Sequence, residues 1–136
     1  MKALKLILLA LFFISCRQDL DENNIIGTWK LTEQLIDPGD GNGKFLVVNT
    51  NRTVTFKKDG TYTSNGSFCY LNINANEKTD GNFVYSSAEK KLIPKCFTVG
   101  LSLPLELSIK IENNKLILSN FGCDEACAQK FTKIKD

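Results

Sequence analysis

Five cysteines and not one histidine set the chemistry open to this chain. Histidine is the commonest general base near neutral pH and the commonest metal ligand, so every triad built on a His base is excluded. Paired carboxylates, Tyr or Lys could still act, but nothing else points to them, and no serine lies in a Gly-x-Ser-x-Gly elbow. The expectation is a protein that is not an enzyme, with no catalytic residue and no cofactor. Cys69, Cys96, Cys123 and Cys127 form an even set, which in a small exported domain predicts two disulfides with three pairings open. The preferred pairing is Cys69 with Cys96 and Cys123 with Cys127. The second pair is local, with only Asp124-Glu125-Ala126 between, and the first joins the ends of two strands separated by one neighbour. A four-thiolate zinc site is the alternative, but the spacing lacks Cys-x-x-Cys knuckles and the compartment is oxidising. No metal site is expected.

Cys16 stands apart. Met1-Lys2-Ala3-Leu4-Lys5 is a short basic stretch, and Leu6 to Ile14 is an apolar run about half as long as a membrane-crossing helix needs. It reads as a signal peptide. The run ends in Phe13-Ile14-Ser15-Cys16, which resembles a lipobox: apolar positions, a small residue that fits the peptidase, then a Cys whose thiol receives diacylglycerol. Phe13 stands where Leu is usual. Residues 1–15 are thus expected to be removed and Cys16 lipidated; an ordinary secretory signal with an incidental cysteine is the alternative. Residues 16–25 are polar and acidic and should form a flexible tether. Asp19, Asp21 and Glu22 look similar to a surface-export signal, though a solvated linker explains them equally simply. The expected location is the cell envelope, anchored by lipid in the outer membrane, on the periplasmic or the cell-surface face.

Removing Lys2 and Lys5 from the 17 basic residues balances the 15 acidic ones, so the exported chain is near neutral. A nucleic-acid partner is not expected, because no basic field exists to release counterions. With 43% hydrophobic residues in 136, the chain can enclose one core, placed at 26–136.

The elements that must position these cysteines are strands. Short runs of period-two alternation separated by Gly, Asn and Asp predict extended segments near 26–36, 44–48, 52–58, 61–69, 82–86, 91–99, 104–112, 115–120 and 126–134. Of these, 44–48 is the one expected to belong to a long loop. Leu105, Leu107, Ile109 and Ile111 alternate with Glu106, Ser108, Lys110 and Glu112, a strand with one wet face. Asn113-Asn114 turns it back, and Lys58-Asp59-Gly60 turns an earlier hairpin. Such short connections predict an all-β, antiparallel up-and-down β-barrel of about eight strands, with an open sandwich as the alternative.

Ile26-Gly27-Thr28-Trp29 resembles the Gly-x-Trp opening of lipocalins, and Thr53 to Tyr62 resembles the hydrophobic-T-F-x-x-D-G-T-Y hairpin of bacterial lipocalin-like lipoproteins. Lys115-Leu116-Ile117-Leu118 and Lys130 to Ile134 fit their closing strands. The resemblance implies that Trp29 closes one end of the barrel and that Gly27 lets the first strand bend. The chain is shorter than ligand-carrying lipocalins, so its own side chains could fill the barrel.

Asp37-Pro38-Gly39-Asp40-Gly41-Asn42-Gly43 invites a calcium reading, but the EF-hand spacing and its Glu at position twelve are missing, and an acidic loop explains it. Tyr62, Phe68, Tyr70, Phe83 and Tyr85 span neighbouring strands: facing inward they would fill the core or line a pocket, facing outward they would form an adhesive patch, and core filling is the favoured expectation. The leading functional expectation is a non-enzymatic, monomeric, membrane-anchored barrel that binds a small apolar ligand or an envelope protein, with a cavity open opposite Trp29. The second is a protein-binding module, such as an inhibitor of an envelope-attacking hydrolase, acting through loops 37–44 and 70–80. Ligand identity and ligand-binding residues are not legible.

Overall fold

A computed structural model of the chain describes residues 22–37, 39–69, 76–86, 88–96, 105–120, 123 and 126–136. Residues 1–15, Cys16 and Tyr70 lie outside them. The described chain is one helical turn, α1 (Glu22–Ile25), followed by nine strands: β1 (Gly27–Ile36), β2 (Lys44–Val47), β3 (Thr53–Phe56), β4 (Thr61–Ser64), β5 (Thr79–Tyr85), β6 (Lys90–Pro94), β7 (Leu107–Glu112), β8 (Lys115–Asn120) and β9 (Cys127–Lys135).

Every strand pairs antiparallel, in chain order from β3 to β9, and β9 returns to β1 from Thr28 to Ile36. The other edge of β1 is shared. Gly27–Lys30 pairs with β3, and Glu33–Ile36 pairs with β2. β2 and β3 are therefore two halves of one stave, interrupted over 48–52, and the sheet closes as an eight-stranded up-and-down barrel. Segment 44–48, expected to be loop, belongs to the sheet at Lys44–Val47. The break explains why it read poorly: a four-residue half-stave is too short for alternation to stand out.

Closure puts the tight turns at one end and the long connections at the other. Asn113 and Asn114 take φ of 50° and 58°, as the two-residue β7–β8 turn requires. Gly27 has φ +122°, and any side chain there would run into the Lys135 carbonyl. The first strand can therefore start flush against the last. β4 ends at Ser64 rather than 69, because Asn65 and Gly66 bend the chain and turn Phe68 into the barrel.

Along each stave alternate side chains face inward, giving buried Trp29 and Leu31, Val54 and Phe56, Leu107 and Ile109, Leu116 and Leu118. Phe68 packs against Tyr62 and Phe131 with ring centroids 5.7 and 6.2 Å apart. Fully burying each such side chain contributes about 1.5–3 kcal/mol. Trp29, Leu31, Val54, Phe56, Tyr62 and Phe68 belong to one buried core cluster. Of the aromatic group, Tyr62, Phe68 and Tyr85 are buried, and Phe83 is half-buried, edge-on to Phe56 at 4.9 Å.

Candidate functional site

At the closed end, α1 lies across the barrel floor. Ile25 is buried, and its carbonyl accepts the Trp29 indole N–H at 2.8 Å. Lys133 places its ammonium over the Trp29 ring, 5.5 Å from the centroid. Of the 16–25 segment expected to be a tether, Glu22–Ile25 is thus a helical turn, and the rest lies outside the described residues. Beside the floor is a groove of about 380 Å³ lined by Ile26, Gly60, Phe83, Val84 and Tyr85, with Lys58 at its rim.

The opposite end, the mouth, carries the long loops. Both disulfides are there, with the pairing preferred from the sequence: Cys69 with Cys96 and Cys123 with Cys127. The first ties the first half of the β4–β5 connection to the start of the β6–β7 connection, across β5. Among the described residues no group of His, Cys, Asp and Glu could hold a metal ion.

The 37–43 loop is organised by one carboxylate. Asp37 Oδ1 accepts the N–H groups of Gly39, Asp40 and Gly41 at 3.0–3.2 Å, and Oδ2 accepts that of Gly43 at 3.1 Å. These amide donors, Gly39 foremost, hold the Asp37 carboxyl below its ordinary value of 3.8. With four backbone donors on its two oxygens, this carboxylate organises the loop. Gly39, Asp40, Gly41 and Asn42 are left exposed at the tip.

Beneath the mouth lies a layer that hydrophobic patterning could not reveal. Gln34 and Gln129 are cross-strand neighbours and both are buried, as are Arg52, Ser64 and Ser67. Gln129 is 0% exposed, and its side-chain amide has no hydrogen-bond partner among the described residues. Burial pulls the Arg52 guanidinium below its ordinary value and raises the Tyr62 phenol well above its own. The only sequence signal for this layer was the period itself, and it covers two of the three: Arg52 falls in step with Val54 and Gln129 with Phe131, whereas a register shift between Leu31 and Glu33 puts Gln34 out of step with Trp29 and Leu31.

The barrel is consistent with a lipocalin-like fold. Comparison with protein-family models, curated proteins and solved structures finds no match for this chain.

Proposed function

We propose that the chain is a non-enzymatic, lipid-anchored, lipocalin-like protein of the bacterial outer membrane that binds a protein partner through its mouth. The observation that carries this reading is the Asp37 loop. Four backbone amides on one carboxylate pre-order an exposed, acidic tip, which lowers the entropic cost of seating it in a partner. The ring contacts of Phe68 with Tyr62 and Phe131 inside the barrel support the same reading.

Chain geometry supports the orientation. From Cys16 to Glu22 the chain reaches at most about 20 Å. Glu22 begins the turn on the closed end, so an acyl group on Cys16 holds that end near the bilayer and points loop 37–43 away from it. A photo-crosslinking residue at Asn42, in cells of the native host, is expected to capture a discrete protein. The same residue at exposed Ala88, in the β5–β6 turn at the closed end, is expected to capture none. Equal capture at both sites, or capture at Ala88 alone, rejects the reading.

The closed-end groove favours a second reading. Ile26, Phe83, Val84 and Tyr85 offer an apolar wall with one cation at the rim, suited to a small apolar molecule carrying an acidic group. Lipid extracted from the purified protein would separate the two readings.

A further inference from the structure

β2 is the one strand among the described residues that has a neighbour on a single side. In its ladder the Val48 N–H donates to the Thr32 carbonyl at 3.0 Å, continuing the register Glu33–Val47, Gln34–Leu46. Hydrogen-bonded and non-hydrogen-bonded pairs alternate in an antiparallel ladder. Lys44, Leu46 and Val48 therefore direct their backbone groups to β1, and Phe45 and Val47 direct theirs outward. The side chains beside that edge are the most exposed large hydrophobics described, with Val47 at 87% and Leu46 at 69%. Natural edges are blunted by short length, lysine, proline, a bulge or an inward charge. β2 is short and opens on Lys44, but Phe45-Leu46-Val47 carries no charge, proline or bulge, and the strand is held firmly: Lys130 Nζ sits 3.9 Å over the Phe45 ring and 3.1 Å from Glu33.

We infer that this edge pairs with the same edge of a second copy of the chain, antiparallel about a two-fold axis through Leu46. The strand is self-complementary in that register. Phe45 of one copy faces Val47 of the other, twice, and each such pair exchanges both backbone bonds, giving about four in all. The facing side chains are two aromatic–β-branched pairs and one Leu–Leu pair, combinations that stabilise sheets. Lys44 faces Val48, so the two lysines stand at opposite ends without repulsion. A register centred on Phe45 would need the Gly43 N–H, which is already donated to Asp37. Four residues a side fall far below the roughly 800 Å² per partner of a stable dimer. The pairing is therefore weak in dilute solution and becomes populated where copies are concentrated, as on a shared surface.

The test uses the full chain as its host processes it, in mild detergent. Leu46→Cys places two thiols directly opposite, at a Cα separation of about 4.5 Å, inside the disulfide range. Lys44→Cys places them about 13 Å apart. Under mild oxidation L46C is expected to form covalent dimer at least tenfold faster than K44C, with the parent chain giving the background. Val47→Pro removes only an outward N–H and leaves the β1 ladder intact; it is expected to weaken self-association in sedimentation equilibrium at least tenfold. Equal cross-linking of L46C and K44C, self-association unchanged in V47P, or a parent chain that stays monomeric at the highest concentration would each overturn the inference.

Discussion

The Trp29 indole N–H and the Ile25 carbonyl, 2.8 Å apart, tie the first strand to the helical turn that floors the barrel. Both groups are buried, so neither can fall back on water if the other is removed. Trp29→Phe keeps most of the ring and leaves the carbonyl without its donor. A loss of about 1–3 kcal/mol in urea unfolding is expected. Trp29→Ala, which adds a cavity, should cost about 3–5 kcal/mol.

The two disulfides differ in the chain they close, 27 residues apart in one case and 4 in the other. Loop-closure entropy makes the Cys69–Cys96 bond worth about 3 kcal/mol or slightly more, and the local bond less. Paired replacement of Cys69 and Cys96 by Ala should therefore lower stability more than paired replacement of Cys123 and Cys127. Guanidinium unfolding of the two double variants checks the order.

Gln129 offers a test by gain. Its buried amide has no partner among the described residues, so its desolvation is uncompensated. Gln129→Met keeps the length of the side chain and removes the polar atoms. Stability is expected to rise by about 1 kcal/mol in urea unfolding. A fall would mean that the amide is satisfied by a group bound in the mouth.

Much of the fold was legible because alternation survives wherever one face is wet. Leu107, Ile109 and the intervening Ser108 and Lys110 announce β7 directly, and the two asparagines announce its turn. The rest was hidden for physical reasons. β4 was read too far because Phe68 looks like another strand residue, when its burial comes from the chain folding back into the mouth. The helical turn at 22–25 carries Asn-Asn, a poor helix former, and is held by tertiary contact through Ile25 instead. At the mouth, the even cysteine count and strand spacing carried the pairing, whereas the buried Gln34, Arg52 and Gln129 have polar identities that patterning assigns to the surface. The loop-organising role of Asp37 depends on backbone amides, which side-chain types do not report.

Acidity should release that loop. A carboxylate whose value is lowered in the folded state contributes order that is complete above its unfolded value of 3.8 and is lost as pH falls through the lower folded value. The amide resonances of Gly39, Gly41 and Gly43 are therefore expected to move together, in one titration whose midpoint lies below pH 3.8. Asp37→Asn should weaken the same pattern at every pH.

The proposed acylation at Cys16 is separable from the fold. Cys16→Ser is expected to leave urea unfolding unchanged while moving the chain from the membrane to the soluble fraction. Intact mass should show the parent chain, beginning at Cys16, heavier by its acyl groups.

The claim on which the account rests is that the ordered 37–43 tip engages a protein. Native mass spectrometry of the chain purified from its own host tests it most directly. A complex heavier by one defined protein is expected, formed by the parent chain and lost in Asp37→Ala. A complex that persists unchanged in Asp37→Ala, or a parent chain carrying only a small molecule, would contradict it.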